Sequence, residues 1–301
     1  MIKRSIIAGL VLASAMDAQN PRCREVEAVS SPVTQRYRAA LEFGALGNLP
    51  RARAELERLL RDEPTHSSAK LRLRALDDAA AGRTSQVAVI HLFRAALHSS
   101  AGNNLAALAD VDSAIAASPS YDEALRFRGR TLVDLGEISR AVEDYTRALT
   151  LNAKNVAVLL NRGNAFVRLG NRSAALMDFD RAIALDSANA DAFVNRGMAY
   201  LADDQDQAAI ADFDRAIALD PGLAPAYNNK ALLLEQRGQW SAALTTYETL
   251  VVRSRSEYPQ LIDHARTRID QLSRRRRPNE ELKLTATPSS WVELATFGAA
   301  A

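Results

Sequence analysis

"DFDRAIALD" is written twice in this chain, at Asp178–Asp186 and again at Asp212–Asp220, and the two copies start 34 residues apart. A catalytic site seldom needs a second copy of itself. A stacked architecture does, because each layer must present the same face to the next. Sliding the chain by the same interval extends the match. Small residues recur at Ala95, Gly129, Gly163, Gly197 and Ala231, and alanine at Ala107, Ala141, Ala175, Ala209 and Ala243. A bulky column runs Val111, Tyr145, Phe179, Phe213 and Tyr247. Another alanine column, Ala114, Ala148, Ala182 and Ala216, ends in Leu250, and a turn column runs Gly102, Gly136, Gly170, Asp204 and Gly238.

Each column has a physical task. Small residues let paired helices approach closely, and the bulky column fills the space between pairs. Glycine in the turn column stops a first helix by taking a left-handed backbone angle without strain, and Asp204 tolerates that angle better than most residues. Each period therefore reads as helix, short turn, helix, with the second helix ending near Pro119, Ala153, Ser187 or Pro221.

Composition agrees with helices. The chain has 301 residues, 48% of them hydrophobic, with sparse glycine and proline and more alanine and leucine than β-branched residues. A formal net charge of +2 argues against bulk nucleic-acid binding. The single cysteine, Cys23, excludes an internal disulfide, so packing alone must hold the fold.

The pattern resembles the tetratricopeptide repeat family, on stretches such as "NRGNAFVRLGNRSAALMDFDRAIALDS" (Asn161–Ser187). The resemblance covers Ala88 to about Arg255 in five units. It implies an all-α fold, a right-handed superhelical solenoid of helix-turn-helix repeats whose first helices line a concave groove. The organisation expected is a signal peptide at 1–18, a flexible leader at 19–32, and a divergent repeat plus an odd helix at 33–83. Five tandem repeats at 84–256, a capping helix at 257–277 and a flexible tail at 278–301 follow. Gly82-Arg83-Thr84 reads as a joint where the register breaks. The capping helix has apolar residues at Leu261, Ile262, Ala265, Ile269 and Leu272, a helical spacing, and a solenoid end needs such a cover.

Lys3, Arg4 and the mostly apolar Ser5–Ala15 read as an export signal, cleaved after Ala15 or Ala18, with an uncleaved helix or anchor as the alternative. The run is too short for a stable membrane span, and a periplasmic or secreted location follows. Asn20-Pro21-Arg22 before Cys23 lacks the residues of a lipoprotein site, which leaves a free thiol.

Charge keeps the period too. Arg94, Arg128, Arg162, Arg196 and Lys230 form one column, and Asp110, Asp144, Asp178 and Asp212 another, whose fifth position is Thr246. The spacing is 16 residues within a unit and 18 to the next. Pairing within units leaves Lys230 alone; pairing between units leaves Arg94 alone and accounts for Thr246. Pairing between units is the preferred reading. Even spacing places these charges on successive layers rather than around one substrate, so the ladder reads as register-fixing ion pairs and not as catalytic acids and bases.

Nothing else in the sequence assembles a catalytic site. His91 and His98 share one helix face but lack further ligands for a metal, and no phosphate loop or nucleophile elbow occurs. Asp203-Asp204 with Asp206 lacks the later residues of a calcium loop. No cofactor is expected. Arg274–Arg277 complements a helix C-terminus or contacts a polyanion or anionic lipid. In the tail, Trp291, Val292 and Leu294 are candidates for docking.

The family resemblance implies a groove lined by Arg126, Arg130, Leu160, Asn164, Arg168, Val194, Met198, Leu201, Asn228 and Leu232. Arg126 and Arg130 are one turn apart, and Arg168 is expected to join them. One family variant clamps a terminal carboxylate. Asn164 and Asn195 match its asparagines, but Leu160, Pro225 and Asn229 stand where its basic residues would be. The resemblance thus implies a non-enzymatic scaffold for a protein or peptide partner; the leading residues add export, and the basic and apolar lining suits a partner with acidic and apolar residues. Alternatives are an envelope polysaccharide or peptidoglycan-associated assembly factor, and self-association with the tail of one chain in a neighbour's groove. The oligomeric state is left open.

Overall fold

The computed structural model describes residues 32–201, 204–254 and 258–275. The expected signal, Cys23, Asp203, Arg276, Arg277 and the tail lie outside them. The described secondary structure is helical throughout. The helices are α1 (Pro32–Ala45), α2 (Leu49–Asp62), α3 (Ser67–Ala80), α4 (Gln86–Ser100), α5 (Asn104–Ala117), α6 (Asp122–Asp134) and α7 (Ile138–Leu151). They continue as α8 (Val156–Arg168), α9 (Arg172–Leu185), α10 (Ala190–Leu201), α11 (Asp206–Leu219), α12 (Ala224–Gln236), α13 (Trp240–Arg253) and α14 (Pro259–Arg275). The chain divides into two compact units whose described parts are residues 32–165 and 166–275, and α8 spans the boundary.

The turns follow from two adjacent residues. Gly102, Gly136, Gly170 and Gly238 have φ between 72° and 81°, and Asp204 takes 55°, the one non-glycine of positive φ among the described residues. Where asparagine follows the glycine, it caps the second helix. The side chains of Asn48, Asn103 and Asn171 accept hydrogen bonds from the backbone N–H groups of Arg51, Ala106 and Ala174 at 3.2, 3.3 and 3.2 Å. Each satisfies one of the donors that a helix start leaves open.

In the unit of residues 32–165, the pairs α1–α2, α4–α5 and α6–α7 pack antiparallel, and α4 also touches α6. A Cβ on Gly129 would lie 2.5 Å from the Tyr145 ring, so α6 and α7 close on each other only because that side chain is missing. Helix α3 interrupts the alternation. It packs on α2 and α4, while α1 lies directly against α4, where a Cβ on Gly44 would sit 2.2 Å from the Phe93 ring. The turn at Gly82 ends α3 with φ 70°. Tyr121 then ties α3 to the start of α6 by donating to Asp78 Oδ2 at 2.9 Å, and Arg83 donates to Asp78 Oδ1 at 2.7 Å.

In the unit of residues 166–275, α10–α11 and α12–α13 form the pairs, and Phe213 lies against Gly197 as Tyr145 does against Gly129. Helix α14 packs on α13 and α12 and buries Leu261, Ala265 and Leu272. Pro259 and Ala265 stand 34 residues after Pro225 and Ala231. The cap is therefore in register as the first helix of a further repeat. The position equivalent to Arg196 and Lys230 is His264.

His264 makes an edge contact with Tyr247, ring centroids 5.9 Å apart, and its Nε2 is buried without a hydrogen-bond partner among the described residues. Burial first, then repulsion from Arg268, lowers its pKa from 6.5 to about 4. The unfolded chain therefore takes up this proton before the folded one does. Stability is at its full value above about pH 6.5 and falls as pH drops toward 4. After discounting for partial exposure, the loss is about 2 kcal/mol by pH 4. The check is urea denaturation of the parent and His264→Phe between pH 7 and 4.5. The parent should lose this increment relative to the variant, and parallel pH profiles would refute the assignment.

Candidate functional site

The charge ladder pairs within repeats, not between them as the vacancy at Thr246 suggests. Arg128 donates from Nε and Nη2 to Asp144 of its own repeat, both at 2.7 Å. Arg196 does the same with Asp212, both at 2.8 Å. Their remaining fork reaches the preceding repeat through another acidic column that sequence reading missed. Arg128 Nη1 meets Asp112 and Arg196 Nη1 meets Asp180, each at 2.8 Å. At the matching place Arg162 donates to Thr146 Oγ1 at 3.1 Å, and Lys230 pairs with Asp214.

A planar guanidinium matches both oxygens of a carboxylate with one fork and keeps N–H groups for a third contact. Lysine has no such fork, which fits the neutral Thr246 in the repeat that carries Lys230. Hydrogen bonds to Asp144 and Asp212 lead the causes that raise the pKa of Arg128 and Arg196, against the opposing effect of burial. Arg94 lies 3.5 Å from Asp110, which also receives His91 Nδ1 at 3.0 Å and His98 Nε2 at 3.5 Å. The two histidines thus face one carboxylate. Among the described residues no group of three or more His, Cys, Asp or Glu is placed to hold a metal ion.

The groove residues read from the sequence scatter in exposure. Leu160 and Asn164 on α8, and Met198 and Leu201 on α10, are partly exposed, and Arg168 is exposed. Val194, Asn228 and Leu232 are not open surface. Helix α12 is packed by α10, α11, α13 and α14, and Asn228 is 0% exposed with neither amide atom partnered among the described residues. At the clamp-like positions, Asn195, Pro225 and Asn229 are also buried, and Pro225 lies in the first turn of α12.

Arg126 is buried as well, 6% exposed, and bound to Glu123 by Nε at 2.8 Å and Nη2 at 2.6 Å. Its partner across the fold is Arg72, on α3, which sequence reading did not single out. Arg72 donates to the Leu92 carbonyl at 3.1 Å and lies 3.6 Å from Glu123 Oε1. Burial alone would raise the Glu123 carboxyl, but Arg126 and then Arg72 outweigh it and hold it below the usual carboxylate range.

Arg130 completes the group, its guanidinium 5.0 Å over the Phe127 ring, with no ion pair among the described residues. Burial, followed by repulsion from Arg126 and Arg72, lowers its pKa. These arginines line a cavity of about 140 Å³ together with Tyr37, Ser68, Leu71, Ala96, Ser99, Ser100 and Phe127. Four helices, α1, α3, α4 and α6, contribute to it. The cavity exists because the odd helix α3 lies outside the regular alternation.

Three family models match the chain: one described as TPR repeat over residues 129–170, and two described as tetratricopeptide repeat over 160–224 and 213–245. No curated protein matches. Among solved structures, a type IV pilus biogenesis factor, PilW, superposes with a TM-score of 0.54 at 21% identity, covering 65% of this chain and 94% of its own. A thermophilic TPR protein of Thermus thermophilus gives 0.52 at 22% identity, covering 61% and 97%, respectively. Pseudomonas aeruginosa pilF gives 0.52 at 18% identity, covering 65% and 94%. These likenesses bear on the fold alone. No described helix is long and apolar enough to cross a membrane. The 34-residue period, the helix pairs built on it and the three family models agree that residues 129–245 are built of tetratricopeptide repeats.

Proposed function

We propose that this chain is a non-enzymatic scaffold that receives a protein or peptide partner on the first helices of its repeats. The observation that carries this reading is that first helices in each unit leave apolar or amide side chains partly open: Leu160 and Asn164 on α8 in the one, and Met198 and Leu201 on α10 in the other. Such groups offer hydrophobic contact and hydrogen bonds to an extended backbone, and a preformed surface avoids much of the ordering cost of binding. The partner it suits carries apolar side chains beside acidic ones. An exported location is part of the proposal and rests on Lys3, Arg4 and the apolar run that follows.

A photoreactive amino acid placed singly at Asn164 or Met198, in cells making the full chain, tests the reading. Met177, 73% exposed on α9, and Val252, 83% exposed on α13, serve as controls on second helices. Discrete crosslinked species at the first-helix positions and none at the controls are expected. Crosslinks of equal yield at all four positions, or at the controls alone, would sink the proposal.

A further inference from the structure

The cavity between α1, α3, α4 and α6 has an unbalanced charge. The guanidiniums of Arg72 and Arg126 meet one carboxylate, Glu123, and Arg130 lines the same cavity with no ion pair among the described residues. Arg72 and Arg126 share that carboxylate, so Arg130 faces two like charges. Asp134, one turn along α6, attracts Arg130 without closing an ion pair. A half-buried cation held beside two others is unfavourable unless an anion joins them. Neutral donors stand ready in the same wall. Tyr37, Ser68 and Ser99 line the cavity, and their hydroxyls have no hydrogen-bond partner among the described residues, whereas Ser100 donates to the Leu97 carbonyl at 2.7 Å.

We propose that this cavity is an oxyanion site: Arg130 supplies a free fork, Ser68, Ser99 and Tyr37 supply hydroxyl donors, and the Arg72–Glu123–Arg126 group fixes the positive field. A fork with adjacent hydroxyls matches the two or three coplanar or tetrahedral oxygens of a carboxylate or phosphate. The acidic side chain of a bound peptide and a free inorganic anion share that chemistry. The peptide source rests on the scaffold reading above; the free anion does not. Apolar Leu71, Ala96 and Phe127 in the same lining exclude water from part of the site and strengthen the contact.

The full chain is titrated with inorganic phosphate, read by its melting temperature, and with a dye-labelled hexaglutamate peptide, read by anisotropy. The variants are Arg130→Met, which keeps the stem over Phe127 and removes the charge, and Arg130→Lys, which keeps the charge and removes the fork. Arg147→Met, an exposed arginine on α7, controls for bulk charge. Without ligand, Arg130→Met should melt no lower than the parent, because it relieves repulsion. Phosphate should raise the melting temperature of the parent, much less that of Arg130→Lys, and not that of Arg130→Met.

The peptide should bind the parent at least ten times more tightly than Arg130→Met, with less than a twofold change in Arg147→Met. A phosphate response without peptide binding keeps the oxyanion site and assigns it a free anion. Binding of neither probe to the parent, or equal losses in the Arg130 and Arg147 variants, overturns the proposal. If Arg130→Met fails to fold, Arg130→Lys carries the same comparison. First-helix crosslinks with a silent Arg130 would separate failure here from failure of the scaffold reading.

Discussion

Replacing Glu235 with alanine is expected to cost about 3–5 kcal/mol, the range for breaking a buried ion pair from one side. Glu235 is 2% exposed on α12 and holds Arg268 of α14 through both oxygens, Nε donating at 3.1 Å and Nη2 closing the second bond. Its loss leaves a guanidinium of low exposure beside the neutral His264 and the Tyr247 phenol, whose pKa is raised by burial first and then by Glu235. Gln271 also binds Arg268 and brings no charge. Arg268→Met should cost a similar amount for the opposite reason, an unpaired buried carboxylate. The double change Glu235→Leu with Arg268→Met removes both costs and should lie within about 1–2 kcal/mol of the parent. Urea denaturation gives the three values, and hydrogen exchange at the α14 amides locates them. If the double variant is as unstable as the sum of the single ones, the pair is not the unit that holds the cap.

Phe213→Ala is expected to remove about 3–5 kcal/mol by emptying the space between α10 and α11. The ring is fully buried, and it occupies the volume that Gly197 leaves, 2.8 Å from where a Cβ would be. Gly197→Ala fills the same space from the other side and should cost about 1–3 kcal/mol through overpacking. The two residues are one joint feature, so their effects should not add. Phe213→Leu combined with Gly197→Ala should recover part of the loss of the Gly197 variant alone. Thermal and urea unfolding of the set would decide it, and strict additivity would show that ring and glycine act independently.

The helix pairs are legible in the sequence because each is written by several columns at once. Gly136 ends a helix, Gly129 and Ala141 allow a close approach, and Tyr145 fills the gap, all at a constant period. The ladder is half legible. Arg128 and Asp144 mark it, but Thr146 interrupts the acidic column that runs through Asp112, Asp180 and Asp214, and the break hides the guanidinium's third contact. Arg72 is not legible as part of a site, because α3 is off the period and no column points to it. Its place beside Arg126 depends on α1 lying against α4. Asn228 fails for another reason. Periodicity gives its place on a first helix, but α12 is packed on several sides, so this position is closed at 0% exposure.

The carboxylates in Asp212-Phe213-Asp214 face different layers. Asp212 meets Arg196 of its own repeat, and Asp214 meets Lys230 of the next. One period therefore carries an internal pair, a forward connector, and a cation that also receives the connector of the period before it. A gene that copies an interior period in tandem copies a complete set of couplings, and the inserted layer finds its partners on both sides without further mutation. Copying the last period, with Lys230 and Thr246, supplies no such bidentate pair. The array is built to lengthen from its middle while its end stays fixed.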